Sequence, residues 1–423
     1  MSISTITLLS QRLNKMRERK KTFSIKSEGD SMFPLLQTGD IVQYQYCTFK
    51  EIKENDIVLT HVNEIFMTHR VIYKNGSLCI TRGDNNQTAD KPVKKDQIFA
   101  RATRFGRNKK WYGIQDIYLH QSILYLHEIS NLEAKLCSAF IPHVFLKGVL
   151  VSLRYENTIP KRIYADCDLL VRRSDAQKIE SIFTSLGYRY VGKTSSFGIK
   201  KNKFSYPEIS FAKNIGQVSV VFDLHFEPVF LMTQLSGMNL LYDNSLLQSL
   251  GEKIIKNGKK IKVKGVSFFL PSRTDQILYL ILHIFHHNFV DSMRYSLLNS
   301  VIRKSVSQAM WRELKRTIQK YHLEGYSYLT LLLLKKHYKT PIPSSFLGSI
   351  SPTWIKKQTS LFLLNKINIF NQDNRLKAGI ERFVLIFILS PEPLIKKLFI
   401  FFHPDTLRSL FFVLGRKMFK SLK

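Results

Sequence analysis

Cysteine is scarce in this chain, and long apolar runs are missing. The four cysteines, Cys47, Cys79, Cys137 and Cys167, form no Cys-x-x-Cys pair and show no paired spacing with histidine. This argues against a zinc site and a disulfide framework, and it fits a reducing cytoplasm. The longest uninterrupted apolar run is Phe383–Leu389, whereas a membrane span needs about 20 apolar residues. Residues 1–22 are polar and basic, so we predict a basic leader there, no secretory signal, and a cytoplasmic protein.

Acidic residues are also few. The 423 residues include 32 Asp and Glu against 64 Lys and Arg, which gives a net charge of +32. Such an excess favours anionic partners, such as nucleotides or an anionic membrane face. In the C-terminal part, Ile395–Phe402 and Leu407–Leu422 interleave Phe and Leu with Lys and Arg. A helix of this kind either makes peripheral contact with an anionic membrane or packs its apolar face on the domain. We find no known nucleic-acid motif and do not expect a nucleic-acid partner.

The patterning predicts a multidomain α+β protein. Short alternating stretches between residues 23 and 107 are separated by turn residues, which is typical of a small all-β domain. Asn75-Gly76 between two such stretches predicts a two-residue hairpin loop. The predicted strands are Phe23–Lys26, Asp40–Tyr46, Asp56–His61, Ile65–Tyr73, Ser77–Thr81 and Gln97–Phe105.

Residues 108–300 are predicted to form an α/β domain, and 301–423 a basic helical C-terminal region. A helix is expected within 111–145, followed by a strand or helix start over Phe145–Val151. A strand at Tyr164–Val171, a helix at Ala176–Gly187 and a strand at Val218–Phe226 then alternate. Such alternation indicates an α/β unit.

Three short segments near the N-terminus supply a hydroxyl, an imidazole and carboxylates. They are Gly29-Asp30-Ser31-Met32-Phe33-Pro34, Thr68-His69-Arg70-Val71, and Thr81–Asp90 with its Gly83-Asp84-Asn85-Asn86 turn. A serine hydroxyl is a poor nucleophile until a neighbouring base removes its proton. Together the segments resemble the core of the signal peptidase I family, in its archaeal and endoplasmic-reticulum form with a Ser–His pair.

The resemblance implies a serine peptidase without a cofactor. It assigns Ser31 as the nucleophile, His69 as the base and Asp90 as the preferred carboxylate that orients the histidine. Asp84 is the alternative partner, or it stabilises the tight Gly-Asp-Asn-Asn turn. Main-chain N–H groups near Ser31 would form the oxyanion hole.

A second set of carboxylates follows in Ala165-Asp166-Cys167-Asp168-Leu169-Leu170-Val171. Alternate residues of a strand point to the same face, so Asp166 and Asp168 present two carboxylates together. Asp223, on a later predicted strand, is well placed as a third. Such a cluster suits Mg²⁺ (or Mn²⁺), which binds hard oxygens and takes its remaining ligands from substrate phosphates.

This second part resembles the uncharacterised branch of the nucleotidyltransferase superfamily. The match rests on Lys147-Gly148, then Arg162, the Asp-x-Asp strand, and Asp223-Leu224-His225. It implies metal-dependent nucleotidyl transfer from a nucleoside triphosphate, with Lys147, Gly148 and Arg162 binding the nucleotide. The serine that usually follows the loop glycine is replaced by Val149, so Lys147, Arg162 and backbone N–H groups would compensate.

Three histidines, His283, His286 and His287, fall on a predicted helix at positions i, i+3 and i+4. They are either ligands or half-buried packing residues, and packing is the favoured interpretation. The whole chain is interpreted as bifunctional, with a serine endopeptidase of signal peptidase type, acting on a peptide or protein, fused to a nucleotidyltransferase. The alternatives are a degenerate binding or regulatory protein that recruits an acidic partner, and a self-cleaving repressor-type peptidase. No small-residue bond stands out between residues 100 and 150, which counts against self-cleavage.

Overall fold

The structure is a computed structural model that describes residues 22–156, 164–191, 207–216, 218–228, 238–263, 266–305, 307–365, 367–371, 375–404 and 406–407. Arg162, nearly all of the 1–22 leader and all but the first residue of the 407–422 stretch lie outside these ranges. The described residues belong to two compact units. The first contains residues 22–122 and 370–371, and the second contains the remainder. The domain boundaries at 107/108 and 300/301 remain predictions.

The first unit is built on one antiparallel sheet. Its strands are β1 (Thr22–Lys26), β2 (Ile41–Tyr46), β3 (Ile57–Val62), β4 (Ile65–Lys74), β5 (Leu78–Arg82), β6 (Val93–Lys94), β7 (Ile98–Arg107) and β8 (Lys110–Gly113). The order is β1-β2-β7-β3-β4-β5-β6, with β8 paired to β7. Alternate residues of β2, such as Val42, Tyr44 and Tyr46, are buried, so one face of the sheet covers an apolar core. The predicted all-β domain is confirmed.

The hairpins differ in detail from the prediction. Asn75 does begin the connection between β4 and β5, but Lys74 pairs with Cys79, so the loop is longer than two residues. The Asn75 side chain accepts hydrogen bonds from the Ser77 and Leu78 N–H groups at 3.2 and 3.3 Å, which stabilises this wider turn. The two-residue loop is instead Asn63-Glu64, where both residues have positive φ.

The second unit contains a mixed five-stranded sheet and a two-stranded ribbon. The strands are β9 (His143–Phe145), β10 (Cys167–Val171), β11 (Arg189–Val191), β12 (Glu208–Ile215), β13 (Val218–His225), β14 (Lys259–Val263) and β15 (Val266–Leu270). The sheet order is β11-β12-β13-β10-β9, and β14 pairs with β15. Strands β10 and β13 are parallel, whereas the other pairs are antiparallel. The sequence predicted β10 and β13 and missed β11, β12, β14 and β15.

Helices make up much of the rest of the chain. They are α1 (Ile114–Ser138), α2 (Val149–Glu156), α3 (Ala176–Ser185), α4 (Asn244–Lys256), α5 (Arg273–His286), α6 (Ser292–Ser305), α7 (Gln308–Lys320), α8 (Glu324–Tyr338), α9 (Ser344–Ser349), α10 (Trp354–Leu364), α11 (Arg375–Leu389) and α12 (Leu394–Phe402). Helix α1 begins in the first unit and continues into the second. It ends earlier than residue 145, because Phe140 adopts positive φ and Pro142 follows. The α/β part and the helical C-terminal part are therefore both confirmed. Within the described residues, no helix combines the length and apolar character that crossing a membrane requires.

Helix α3 covers the five-stranded sheet with its apolar side. Ile179 and Phe183 are buried, while Lys178 on the same helix is exposed. The Phe183 ring stacks on Phe211 of β12 with a centroid distance of 4.4 Å. Aromatic side chains contribute large buried areas, so this contact stabilises the helix on the sheet.

Phe183→Ala should therefore lower the free energy of unfolding by about 3–5 kcal/mol, because it leaves a cavity in a fully buried site. Urea denaturation would measure the loss. Lys178→Ala is the control and should change the free energy by no more than about 0.5 kcal/mol. Equal effects of the two substitutions would contradict this account of the core.

Candidate functional site

Ser31, His69 and Asp90 form a chain of hydrogen-bonding distances in the first unit. Ser31 lies in the turn between β1 and β2, His69 lies on β4, and Asp90 follows β5. His69 Nε2 is 3.0 Å from Ser31 Oγ, and His69 Nδ1 is 2.6 Å from Asp90 Oδ2. Ser31 is partly exposed, whereas His69 is buried. This is the nucleophile–base–carboxylate order that activates a serine.

Asp90 is itself held in place by β5. The Thr81 hydroxyl donates to Asp90 Oδ2 at 2.7 Å, and the Asp90 N–H donates to the Thr81 carbonyl at 2.8 Å. The carboxylate therefore accepts from two side chains at once. This restricts the imidazole to the orientation in which Nε2 faces Ser31.

Asp84, the alternative partner, binds elsewhere. Arg70, the neighbour of His69, donates from Nε and Nη2 to the two Asp84 oxygens at 2.6 and 2.5 Å. Its Nη1 donates to the Asn55 carbonyl at 3.1 Å and to the Tyr118 hydroxyl. Burial acts to lower the pKa of Arg70, but the bonds and charges of Asp84 and Tyr118 outweigh it and raise that pKa. Asp84 therefore anchors the loop rather than the histidine.

This anchored loop also contacts the nucleophile's backbone. The Asn85 N–H donates to the Ser31 carbonyl at 2.8 Å, and Asn85 Nδ2 donates to the Asp30 carbonyl at 3.2 Å. Gly83 packs so closely that a Cβ there would lie 2.5 Å from the Ser31 carbonyl oxygen. Only glycine fits this approach, and the turn that presents Ser31 is positioned by it.

The second site gathers the three predicted carboxylates. Parallel pairing of β10 with β13 puts Asp168 opposite Asp223, and Asp166 lies one residue before β10. One oxygen from each of Asp166, Asp168 and Asp223 lies within 4.8 Å of the others. In the described part of the chain, this is the one group of three or more acidic, histidine or cysteine side chains that meets that distance.

Asp168 is almost fully buried, and several groups compensate its charge. Its Oδ2 accepts from the Tyr279 hydroxyl at 2.6 Å and lies 3.3 Å from Lys147 Nζ and 3.5 Å from His225 Nε2. Burial acts to raise the pKa of Asp168, but Lys147, His225 and the bond from Tyr279 outweigh it and hold that pKa below its usual range. A buried carboxylate that remains ionised is what a metal ligand requires.

The hydrogen bonding of the carboxylates also fits a cation. Among the described residues, Asp168 Oδ1 is buried and has no hydrogen-bond partner. Such an orphaned acceptor is costly unless a ligand satisfies it. Asp223 accepts from the Ser210 hydroxyl at 2.6 Å, and burial first, then the nearby Asp168 and Asp166, raise its pKa. A bound divalent cation would relieve this repulsion, so these residues fit the Mg²⁺ or Mn²⁺ that the sequence predicted.

Lys147 and Gly148 form the loop beside the carboxylates. Lys147 Nζ lies 3.2 Å from Asp166 Oδ1, and the buried Asp168 raises the lysine's pKa against the lowering effect of burial. Gly148 has φ +91°, and a Cβ there would lie 3.6 Å from the Asp166 carbonyl oxygen. Glycine therefore permits the loop to turn into α2, which begins at Val149. Arg162 lies outside the described residues.

Two segments of the chain match known protein families. Residues 108–339 match the family described as "Uncharacterised nucleotidyltransferase". The chain belongs to this family. Residues 3–103 match the family described as "Peptidase S24-like". No curated protein matches the chain. The predicted fusion of a peptidase-like domain with a nucleotidyltransferase domain is confirmed, and the finer assignment to signal peptidase type remains a prediction.

Sequence reasoning missed several groups around the nucleotidyltransferase carboxylates. Tyr279 on α5 and Ser210 on β12 donate to Asp168 and Asp223. Ser210 lies on a strand that was not predicted, and Tyr279 occurs in an apolar helix far along the chain, so neither carried a local signal. Among the three helix histidines, His283 Nε2 lies 3.3 Å from Lys147 Nζ.

Gly83→Ala should slow covalent labelling of Ser31 by a serine-reactive fluorophosphonate, because the added Cβ pushes the loop away from the Ser31 carbonyl. We expect a loss of about tenfold or more, since small misplacements at a reacting centre are costly. The labelling rate and the melting temperature would be measured together. Gly76→Ala is the matched control, because a Cβ there meets nothing within 4 Å. A Gly83→Ala variant that folds and labels at the wild-type rate would refute the positioning role of this loop.

Proposed function

We propose that the chain is a bifunctional enzyme, with a serine endopeptidase in the first unit and a metal-dependent nucleotidyltransferase in the second. The hydrogen-bonded series Ser31–His69–Asp90 supports the first activity. The cluster of Asp166, Asp168 and Asp223 supports the second. The two family matches agree with both assignments.

In the peptidase reaction, the Ser31 hydroxyl attacks the carbonyl carbon of a peptide bond. His69 Nε2 accepts the hydroxyl proton as the new C–O bond forms, and it then gives that proton to the departing amine. Asp90 holds the Nδ1–H side of the ring and stabilises the imidazolium that forms. Water attacks the acyl-enzyme next, with His69 again as the base, and releases Ser31. The proposed substrate is a peptide or protein of the kind that signal peptidases cleave.

Ser31→Ala and His69→Ala should each abolish fluorophosphonate labelling without loss of the fold, because both side chains belong to the reacting series. Asp90→Asn should label slowly while melting near the wild type, since the amide still occupies the site but no longer stabilises imidazolium. Asp84→Asn should instead mainly lower the melting temperature, because it breaks the bidentate bond with the buried Arg70. Persistent labelling of Ser31→Ala would eliminate the peptidase assignment.

In the nucleotidyl transfer, an acceptor hydroxyl attacks the α-phosphorus of a nucleoside triphosphate and diphosphate leaves. Divalent cations at this site would neutralise phosphate charge and orient the attacking and leaving oxygens. Asp166, Asp168 and Asp223 would hold them, and the parallel pairing of β10 with β13 fixes two of these carboxylates on adjacent strands. Tyr279 keeps Asp168 in one orientation. Lys147 supplies a positive charge at the mouth of the cluster.

Mg²⁺ or Mn²⁺ together with a nucleoside triphosphate should raise the melting temperature of this unit. At ligand concentrations about 100-fold above Kd we expect about 5–10 °C. Asp223→Asn should lose this shift. It should not melt below the wild type without metal, because the pKa of Asp223 is raised by burial and by its acidic neighbours, so the folded protein already disfavours its charge.

Glu252→Gln is the matched control, since it removes one exposed negative charge on α4. It should keep the full ligand-dependent shift. If Asp223→Asn keeps the shift as well, the carboxylates are not a metal site, and nucleotide binding to the positive surface explains the stabilisation.

A further inference from the structure

Lys147, which contacts the carboxylates, lies beside two imidazoles, and the charge of Arg294 acts on both of them; we call Lys147, His283, His287 and Arg294 the basic cluster. Lys147 Nζ is 3.3 Å from His283 Nε2, and the rings of His283 and His287 are 4.5 Å apart. His283 lies on α5, His287 directly follows it, and Arg294 lies on the first turn of α6. The nucleotidyltransferase loop and the helical part of the unit therefore contribute to one site.

The charges of this cluster act on one another. Burial first, then Lys147 and Arg294, lower the pKa of His283 well below its usual range. Burial, then Arg294 and Lys147, lower the pKa of His287 to about 2. The positive charges of Lys147 and Arg294 thus act on both imidazoles and disfavour their protonated forms. The acidic groups that face the cluster are Asp168, which acts weakly on His287, and Asp291.

Two members of the cluster, Arg294 and His287, have nitrogen atoms that make no hydrogen bond to the described residues. Arg294 uses Nη1 for the Asp291 carboxylate at 2.8 Å and the Val290 carbonyl at 3.3 Å. Within the described residues, its Nε and Nη2 and both ring nitrogens of His287 make no hydrogen bond. Both side chains are half-buried rather than sealed in the core.

The nucleotidyltransferase loop explains what these nitrogen atoms are for. Val149, the first residue of α2, is buried and has no hydroxyl to offer a phosphate. A nucleoside triphosphate brings several negative charges close to three carboxylates, so its phosphates need donors from elsewhere. An arginine whose Nε and Nη2 make no hydrogen bond to the described residues is suited to bidentate phosphate binding, and an imidazole can donate one further bond.

We propose that the basic cluster binds the polyphosphate of the nucleotide, with Arg294 and His287 as the donors that contact the phosphates. This inference rests on the proposed nucleotidyl transfer for its biological ligand. The phosphate-binding property itself can be tested without metal, nucleoside or turnover. The ligand class is a linear polyphosphate, and a single inorganic phosphate should bind much more weakly because it reaches fewer donors.

The test is calorimetric titration of the full chain with inorganic tripolyphosphate in the presence of EDTA. The double variant His287→Gln with Arg294→Gln should bind about tenfold more weakly or worse, because it removes an imidazole and a charged donor, and hydrogen bonds that involve a charged group are stronger than neutral ones. Arg294→Lys with His287 intact should recover part of the affinity, since the charge remains. The melting temperature of each variant verifies that it is folded.

Arg316→Gln with His322→Gln is the matched control, because both residues are exposed on the same unit. This pair changes the same residue types away from the cluster and should bind as the wild type does. The inference would be overturned if the wild type did not bind tripolyphosphate, or if the control pair weakened binding equally. In the second case, the net charge of +32 would account for the binding.

The result also separates this inference from the proposed function. Asp223→Asn should retain tripolyphosphate binding in EDTA, even though it loses the metal-dependent shift. If the His287/Arg294 variant alone loses tripolyphosphate binding, and the wild type shows no metal-dependent shift of its melting temperature, the phosphate site is supported and the transferase is rejected. A metal-dependent shift of the melting temperature in the wild type, together with unchanged tripolyphosphate binding in the His287/Arg294 variant, would support the transferase and reject the phosphate site.

Discussion

The burial of one ionised carboxylate organises the second unit. Asp168 lies on β10, an interior strand of the sheet, and parallel pairing with β13 sets Asp223 beside it. A charge in that position is costly unless other groups compensate it. Lys147, Tyr279 and His225 do so from the loop, from α5 and from the neighbouring strand. The helices and the sheet are therefore connected through the site, and Asp168 Oδ1 has no hydrogen-bond partner among the described residues.

The first unit meets a similar problem with a buried cation. Arg70 follows His69 on β4 and is balanced by Asp84 in the loop after β5. The loop is then fixed against the backbone of Ser31, and Asp90 is fixed against Thr81. The ion pair between Arg70 and Asp84 therefore positions the backbone of Ser31. The side chains of Ser31, His69 and Asp90 are not part of this ion pair and remain available for the proposed reaction.

The sequence predicted those features that are encoded by short-range patterns. Alternation gave most strands of the first unit, and the spacing of Asp166 and Asp168 gave two carboxylates on one face. The order of the strands could not be predicted from the sequence. The pairing of Asp168 with Asp223 was therefore an expectation that only the folded sheet could test. The sequence patterns also missed β12, whose exposed and half-buried positions weaken the apolar signal. Contacts such as Tyr279 to Asp168 join residues far apart in the chain, and no local pattern encodes them.

We propose that Asp166, Asp168 and Asp223 hold a divalent metal ion, and anomalous diffraction from crystals of the full chain grown with Mn²⁺ tests this directly. We expect a manganese peak bounded by the three carboxylates, within coordination distance of their oxygens. The metal site would be contradicted if manganese bound only elsewhere while Lys147 still contacted Asp166 and Asp168.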